Sequence, residues 1–221
     1  MPEIILEYKG IILEYKGITY EIFREKDLEE TVNLIAEDFS RAELMTKSQG
    51  ITAEEFHYFA EIYCKKAIVD ELSIVAKDTG KIIGFIISED LESDPPEGIE
   101  NINIKFNPTM ALLNKLDEEY VKSYKKIDDK IFHLFMGGVD QQHEKRHINT
   151  TLIEESLKIA KLKKFTVAIG EATGLAAQHI LRDRLGFIER IVIEYNKFLY
   201  EGKYVFNIDE PVNCILAEKR L

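Results

Sequence analysis

One stretch of the chain has the residue order of an anion-binding loop. Residues 136–165 read MGGVDQQHEKRHINTTLIEESLKIAKLKKF, in which an apolar strand ends in Gly137-Gly138 and a polar loop leads into a helix. A helix N-terminus combines unpaired backbone N–H groups with the positive end of the helix dipole, and both favour phosphate. The glycines expected in such a loop are absent from residues 140–149. The stretch alone is therefore consistent with a phosphate cradle or with an ordinary turn.

Strand and helix patterns precede this stretch. ITYEIFR, at residues 18–24, alternates like a half-buried strand, and the apolar spacing of residues 25–40 predicts a helix. We expect residues 41–51 to form a loop. Thr52 and Glu55 form a capping box that opens a second helix to about Val69. Residues 72–90 then predict a hairpin that turns at Asp78-Thr79-Gly80.

The second half of the chain predicts an alternation of strands and helices. Residues 91–130 are an insertion with a helix from Pro108 to about Tyr124, and such segments often cover a binding site. Gly186 is the expected C-cap of a helix that starts at Gly174. The predicted order is β-α-α-β-β-(α)-β-α-β-α-β-β, which is an α/β chain with a mixed sheet.

Composition restricts the classes of partner. The 221 residues carry a net charge of −11, with 45% hydrophobic and 31% charged residues, as in ordinary globular proteins. This charge argues against nucleic acid or an anionic membrane as a partner. Cys64 and Cys214 have no metal-type spacing and read as buried thiols in a reducing compartment. The N-terminus lacks the basic and apolar regions of a signal peptide, and no apolar run is long enough to span a membrane, so we expect a cytoplasmic protein. We also expect a monomer or homodimer that binds no metal.

The N-terminus contains an exact tandem repeat. IILEYKG occurs twice within residues 4–17, which is too short a unit for a repeat protein. We interpret residues 1–17 as an extension, either an extra edge strand or partly frayed. Residues 18–221 are then one domain.

Over residues 18–221 the chain resembles the GNAT superfamily of acyl-coenzyme A-dependent N-acetyltransferases, and most of all its arylalkylamine and dopamine N-acetyltransferase branch. Three segments carry the likeness: the opening to Ile51, EATGLAAQHILRDRLGF, and the closing NKFLYEGKYVFNIDEPVNCILAEKRL. In the opening, Phe39 leads to Glu43-Leu44-Met45, where the branch has Glu-Pro-Leu or Glu-Pro-Met. The resemblance implies a mixed central sheet, flanked by helices and splayed where acetyl-CoA binds.

The resemblance also gives the loop after Val139 a role. The matching segment of the family holds the pyrophosphate of acetyl-CoA, but Glu144, His147 and Asn149 depart from its pattern. Asn149 tolerates left-handed backbone angles and could form the turn. Lys145 or Arg146 could compensate the Glu144 carboxylate. By resemblance the strand end pairs with the pantetheine arm, Gly137-Gly138 forms a bulge there, and the cofactor-binding residues are Met136, Gly137, Val139, Glu144, Lys145, Arg146, His147, Ile148, Asn149 and Thr150.

The resemblance implies two catalytic residues. Glu43 is the candidate general base and a counter-charge for the amine, unless it is a solvated loop residue. His133 matches a proton-wire histidine, but the expected partner position holds Phe135, and a hydrogen-bonded core histidine is the alternative. Arg182 stands where the family has its general-acid tyrosine, and Thr173 is the nearest hydroxyl to the family's serine. The aromatic residues Phe39, Phe56, Tyr58, Phe59 and Tyr63 are expected in the core rather than in an acceptor pocket.

These implications converge on an acetyl-CoA-dependent N-acetyltransferase. The expected acceptor is a small primary amine, with arylalkylamines first and polyamines second, and the transfer is direct from thioester to amine. Two alternatives remain open: a degenerate binding or regulatory protein that kept the fold, and a protein or peptide N-acetyltransferase.

Overall fold

The computed structural model describes residues 11–221 and the side chains of residues 13–221. The strands are β1 (Ile11–Tyr15), β2 (Ile18–Ile22), β3 (Ile74–Asp78), β4 (Lys81–Asp90), β5 (Ile131–Val139), β6 (Val167–Ala172), β7 (Ile188–Glu194), β8 (Leu199–Tyr200), β9 (Lys203–Tyr204) and β10 (Asn213–Arg220). The helices are α1 (Leu28–Ala42), α2 (Leu44–Ser48), α3 (Ala53–Asp70), α4 (Asn107–Ser123), α5 (Ile148–Leu162) and α6 (Leu175–His179). Among these residues no helix is long and apolar enough to cross a membrane.

The main sheet has eight strands in the order β1-β2-β3-β4-β5-β6-β10-β7, while β8 and β9 form a separate hairpin. Neighbouring strands are antiparallel except β5 and β6, which are parallel and joined through α5. The mixed α/β sheet predicted from the sequence is confirmed. Because β5 and β6 run in the same direction, their carboxyl ends lie side by side near the start of the crossover helix.

Local sequence signals explain the helices that were predicted correctly. In α3, Thr52 accepts from the Glu55 N–H at 3.2 Å and Glu55 accepts from the Thr52 N–H at 3.0 Å, which completes the capping box. In α1, Val32, Ile35 and Ala36 are buried on one face. The prediction of a loop over residues 41–51 was wrong for Leu44–Ser48, which form α2.

The insertion supplies a helix to the far end of the sheet. Within residues 91–130, two short 3-10 turns precede α4, and the predicted helix is confirmed. Its buried residues Leu112, Leu116 and Tyr120 pack with residues of β6, β7 and β10. As a result, the insertion places α4 side chains beside the carboxyl end of β6.

The N-terminal repeat contributes an edge strand. The second copy of IILEYKG forms β1 and the turn after it, and β1 pairs antiparallel with β2. The edge-strand interpretation therefore holds for residues 11–15. The first copy lies outside the described residues.

The core is apolar on both faces of the sheet. Phe56, Phe59 and Tyr63 are buried there, in line with the expectation for the aromatic group, whereas Tyr58 is 40% exposed. Cys64 and Cys214 are both buried and unpaired, as expected.

Candidate active site

The parallel strands β5 and β6 separate before they end. Their ladder has three rungs, of which His133–Ile169 is the last, and Leu134–Val139 make no rung with β6. On the other edge Met136–Val139 stay paired with β4. A strand with one unpaired edge beside a gap can bind an extended ligand through backbone N–H and C=O groups.

The expected bulge at Gly137-Gly138 was placed wrongly. Both glycines pair regularly with β4, and the register shift in β5 falls at Phe135 instead. Both glycines lie in tight packing. A Cβ on Gly138 would lie 2.4 Å from Asp38 Oδ2, and one on Gly137 would lie 2.8 Å from Ile86 Cδ1. A side chain at either position would therefore have to displace side chains of α1 or β4.

The loop after β5 obtains its turn without glycine. Lys145 and His147 both have φ of 62°, in the left-handed region, and His147 is the N-cap of α5. The expectation that Asn149 makes the left-handed turn was wrong, because Asn149 lies within the first turn of α5. Its Oδ1 atom is buried without a hydrogen-bond partner, near Gly137.

Charges around the loop are partly neutralised from α1. The Arg41 guanidinium donates to Glu144 at 3.0 Å and to Asp38 at 2.6 Å. Arg41, rather than Lys145 or Arg146, is thus the partner of Glu144. Arg146 instead lies 3.6 Å from Asp78. Burial raises the pKa of Asp38 despite its bond to Arg41.

The start of α5 fits a diphosphate-bearing ligand. No side chain caps the helix, so the N–H groups of its first turn, Ile148–Thr150, have neither an intrahelical acceptor nor a side-chain acceptor. Glu144 is held aside by Arg41, and Lys145 is exposed at the loop. The residues present therefore favour a bound anion beside the parted strands.

Glu43 is a helix cap. Its Oε1 accepts from the Met45 N–H at 3.0 Å, and its Oε2 accepts from the Thr46 N–H at 2.6 Å and from the Thr46 hydroxyl at 2.7 Å. Both oxygens are thus engaged in starting α2. The interpretation of Glu43 as a solvated loop residue was wrong, since it is half-buried and ordered by these bonds.

His133 is buried between two carboxylates. Its Nε2 lies 2.7 Å from Glu171 Oε2, and its Nδ1 lies 3.3 Å from Glu89 Oε1. The expected partner position, Phe135, packs on Tyr63 with ring centroids 4.4 Å apart. His133 is thus buried and hydrogen-bonded, as both interpretations of it allow, and its polar partners come from β4 and β6 rather than from its own strand.

Asp117 of α4 extends this group. Burial, and then the Glu171 charge, raise the pKa of Asp117 to about 8. Burial alone would lower the pKa of His133, but Glu171, Glu89 and Asp117 together hold it well above its ordinary value. Donor atoms of Asp117, His133 and Glu171 all lie within 4.8 Å of one another. Such a group can share protons or hold a cation.

Glu43 and Glu171 are linked through their electrostatic effect on one buried thiol, that of Cys214. Burial raises the pKa of Cys214 well above its ordinary value, and the Glu171 and Glu43 charges raise it further. Tyr195 donates to the Thr173 carbonyl at 2.7 Å, so the Thr173 backbone is engaged on this side. Arg182 is bonded to Glu189 at 2.9 Å on an exposed surface. The structure therefore places Glu43 at the start of α2 and His133 at the last β5–β6 rung, and it directs Arg182 outward.

Sequence reasoning missed Asp117 and Glu171. Glu171 is an acidic residue in the otherwise apolar VAIGEA strand, and this is a usable signal, because a charge on a buried strand needs a partner. Asp117 follows the buried Leu116 in α4 and carries no comparable signal. Its partner lies in another element, which only the fold brings close.

Comparison with known proteins identifies the fold. The C-terminal condensation domain of Ebony, in complex with beta-alanyl-dopamine, superposes with a TM-score of 0.82 at 19% identity over 92% of this chain and 99% of that one. Arylalkylamine N-acetyltransferase 2 from Aedes aegypti superposes with a TM-score of 0.78 at 22% identity, over 93% of this chain and 99% of that one. Drosophila melanogaster polyamine N-acetyltransferase superposes with a TM-score of 0.76 at 16% identity, over 92% of this chain and 100% of that one. No protein-family model and no curated protein matches the sequence. The chain has the GNAT acyltransferase fold expected from the resemblance.

Proposed function

We propose that this protein is an acetyl-CoA-dependent N-acetyltransferase for a small primary amine. The observation that carries the proposal is the free edge of β5 beside the uncapped start of α5. Together they offer an extended backbone surface for a pantetheine-like arm and an anion site for a diphosphate at its end. The fold shared with known acetyltransferases adds to this support.

The donor would be held by main-chain groups more than by side chains. Met136, Gly137 and Val139 would offer the strand edge, and the loop from Glu144 to His147 would lead to the N–H groups of Ile148, Asn149 and Thr150. The bound cosubstrate supplies an acetyl group activated as a thioester. Lys145 and Arg146 would add positive charge close to the diphosphate.

Glu43 and His133 remain the proposed catalytic residues, with Glu43 in a changed role. Taking up a proton on Glu43 would cost the hydrogen bonds that start α2, so we assign it the role of counter-charge to the ammonium group. His133, held between Glu89 and Glu171, would carry protons at the floor of the cleft. After burial, the charges of Glu171 and Glu43 both raise the pKa of Cys214, as expected if the two carboxylates border one site.

An arylalkylamine is the favoured acceptor. Phe135, at the register shift in β5, is half-buried and contacts Tyr63, so an aromatic wall adjoins the carboxylates. An aromatic surface beside negative charge suits an amine with a ring. The buried free thiols suit the cytoplasmic location that we propose.

Binding of acetyl-CoA, measured by calorimetric titration, tests the proposal. We expect binding well below ~1 mM and release of free thiol when an arylalkylamine is added, with agmatine and an N-terminal peptide as comparison acceptors. Thr150→Glu places a carboxylate at the start of α5, which favours the helix but repels a diphosphate. It should weaken binding at least about tenfold, whereas the uncharged control Thr150→Gln should not.

Three results would contradict the proposal. Absence of binding at millimolar acetyl-CoA would exclude an acetyltransferase. Binding without turnover of any amine would favour a binding protein that kept the fold. Turnover of the peptide alone would favour a peptide N-acetyltransferase.

A further inference from the structure

Two carboxyl groups face each other where β5 and β6 part, and no hydrogen-bond donor lies between their facing oxygens. Asp117 comes from α4 and Glu171 from β6, and the Glu171 side chain is only 4% exposed. Asp117 Oδ1 and Glu171 Oε1 are both buried and have no hydrogen-bond partner. Two ionised carboxylates in this position would repel each other in a poorly solvated environment, so something must neutralise one of them.

The neighbouring charges do not neutralise the pair. On β5, His133 contacts the second oxygen of Glu171, and its other nitrogen faces Glu89 of β4. Lys66 of α3 donates to Glu89 at 3.0 Å and to Asp70 of its own helix at 2.8 Å. With His133 and Lys66 both positive, the four carboxylates of Asp117, Glu171, Glu89 and Asp70 face two cations, so negative charge remains in excess.

Other titratable groups nearby add no positive charge. Cys214 of β10 is buried against Glu171, and its thiol pKa is raised, first by burial, so it stays neutral. Tyr63 of α3 is neutral too, because burial and then Glu89 raise its pKa. Glu43 adds a further negative charge on the Cys214 side. The missing positive charge is therefore a proton or a bound cation.

The spacing of His133 and Glu171 fits a hydrogen-bonded pair better than a zinc ion shared by these two side-chain atoms. His133 Nε2 and Glu171 Oε2 are 2.7 Å apart, the length of a direct charge-assisted hydrogen bond. A zinc ion bound to both atoms would need bonds of about 2 Å to each and would hold the two atoms about 3 Å apart or more. The raised pKa of Asp117, near 8, agrees with a retained proton.

Building on the function proposed above, we propose that Asp117 and Glu171 share one proton, and that their fully ionised form, coupled to His133, is the base that deprotonates the acceptor amine. Glu171 lies two residues beyond the last β5–β6 rung, at Ile169, where the strands part. Its residue is partly exposed although its side chain is buried, so its backbone borders the cleft. The proton would reach the pair from that side.

The proton balance of this step is simple. The ammonium group gives one proton to the ionised pair, which returns to its shared-proton form, and the free amine attacks the thioester carbon. As the C–N bond forms and the C–S bond breaks, a second N–H proton is lost and ends on the coenzyme A thiol. The proton held by the pair returns to solvent after the amide leaves.

Infrared spectroscopy of the protein without ligands tests the shared proton. We expect a protonated-carboxyl band at pH 6.5 that disappears as the pH rises through about 8. Asp117→Asn should remove the band, and Asp128→Asn, at an exposed position, should keep it. If Asp117→Asn fails to fold, labelling wild-type aspartate or glutamate with carbon-13 must shift the band.

Some outcomes would overturn the shared proton. One is the absence of the band at neutral pH, and another is its survival unchanged in Asp117→Asn. A third is a stoichiometric divalent metal in the purified protein that Asp117→Asn loses, because the pair would then hold a cation. These measurements need no acetyl-CoA, so they stand even if the proposed function fails.

Kinetics test the role as base. Below about pH 8, kcat/KM should fall tenfold for each unit by which the pH is lowered. This acidic limb of the pH profile should stay at the same pH when the acceptor is exchanged for an amine of different pKa. Asp117→Asn removes the negative charge that faces Glu171, so the acidic limb of the pH profile should move to lower pH by one unit or more. Glu171→Gln should lower kcat by about 100-fold or more with unchanged acetyl-CoA affinity. An unmoved limb, or an active Glu171→Gln enzyme, would refute the assignment.

Discussion

At position 147 a histidine occupies a backbone conformation in which glycine is the usual residue. Its φ of 62° places it in the left-handed region, at the N-cap of α5. An L-residue there costs roughly 1–2 kcal/mol relative to its preferred regions. The turn is therefore imposed by the structure around it rather than by glycine in the loop, and it leaves the N–H groups of α5 pointing outward.

Replacement of this residue should stabilise the protein. We expect His147→Gly to raise the free energy of unfolding by roughly 0.5–1 kcal/mol, because relief of strain exceeds the added backbone entropy of glycine. Asn149→Gly, inside the first turn of α5, should lower it by roughly 0.5–1 kcal/mol. Urea unfolding measures both. The assignment of the left-handed turn fails if the two changes have the opposite signs.

Gly138 offers a second test at this scale. Gly138→Ala should destabilise the protein by about 1–3 kcal/mol through overpacking, because the added Cβ would lie 2.4 Å from Asp38 and 2.7 Å from Phe85. At Gly174 the nearest atom to an added Cβ is Leu44 Cδ1 at 4.0 Å. Gly174→Ala therefore creates no clash, and because Gly174 is the N-cap of α6, it should cost only the preference for glycine over alanine there, less than about 1 kcal/mol. Equal thermal stability of the two variants would show that β5 can move away from α1.

At the scale of elements, one short helix depends on a single carboxylate. Glu43 accepts hydrogen bonds from the first turn of α2, which has only five residues. Such a helix has little propensity of its own, so its cap and its packing must hold it. The same hydrogen bonds thus also fix the position of the Glu43 carboxylate.

Loss of this cap should be measurable without any substrate. We expect Glu43→Ala to lower the free energy of unfolding by about 1–2 kcal/mol, as for other N-cap removals. Glu37→Ala, at an exposed position of α1, should stay within about 0.5 kcal/mol. Chemical denaturation of the two variants in parallel provides the measurement. Similar values for both would mean that the cap contributes little.

Sequence signals predicted some elements and could not predict others. The helices α1 and α3 have apolar spacing and, for α3, a capping box, so local chemistry defines them. α2 escaped prediction because it is short and its cap is a glutamate rather than serine, threonine or aspartate. The parting of β5 and β6 was expected from the family resemblance alone, since no pattern within one strand encodes where its neighbour diverges.

For the whole molecule, the insertion and the sheet form one packed unit around the acidic site. α4 reaches β6, β7 and β10 through Leu112, Leu116 and Tyr120, all fully buried. Asp117 is therefore delivered by an element more than fifty residues before Glu171 in the chain. Sequence order could not predict this pair, because it depends on how a connecting segment folds back onto the sheet.

Weakening this packing should affect stability and the acidic pair together. We expect Leu112→Ala to lower the free energy of unfolding by about 2–5 kcal/mol, because it leaves a cavity at a fully buried position. It should also alter the carboxyl infrared band of Asp117. Val121→Ala, 41% exposed on the same helix, should do neither. If Leu112→Ala is clearly destabilised but its carboxyl band is unchanged, the Asp117–Glu171 pair does not depend on the packing of α4.

The duplicated heptapeptide has a consequence for the gene as well as for the sheet. β1 and its turn are formed entirely by the second copy, residues 11–17. An in-frame deletion of one copy by slippage during DNA replication would leave the same residues in front of Ile18. Alleles that differ in copy number should therefore encode the same edge strand.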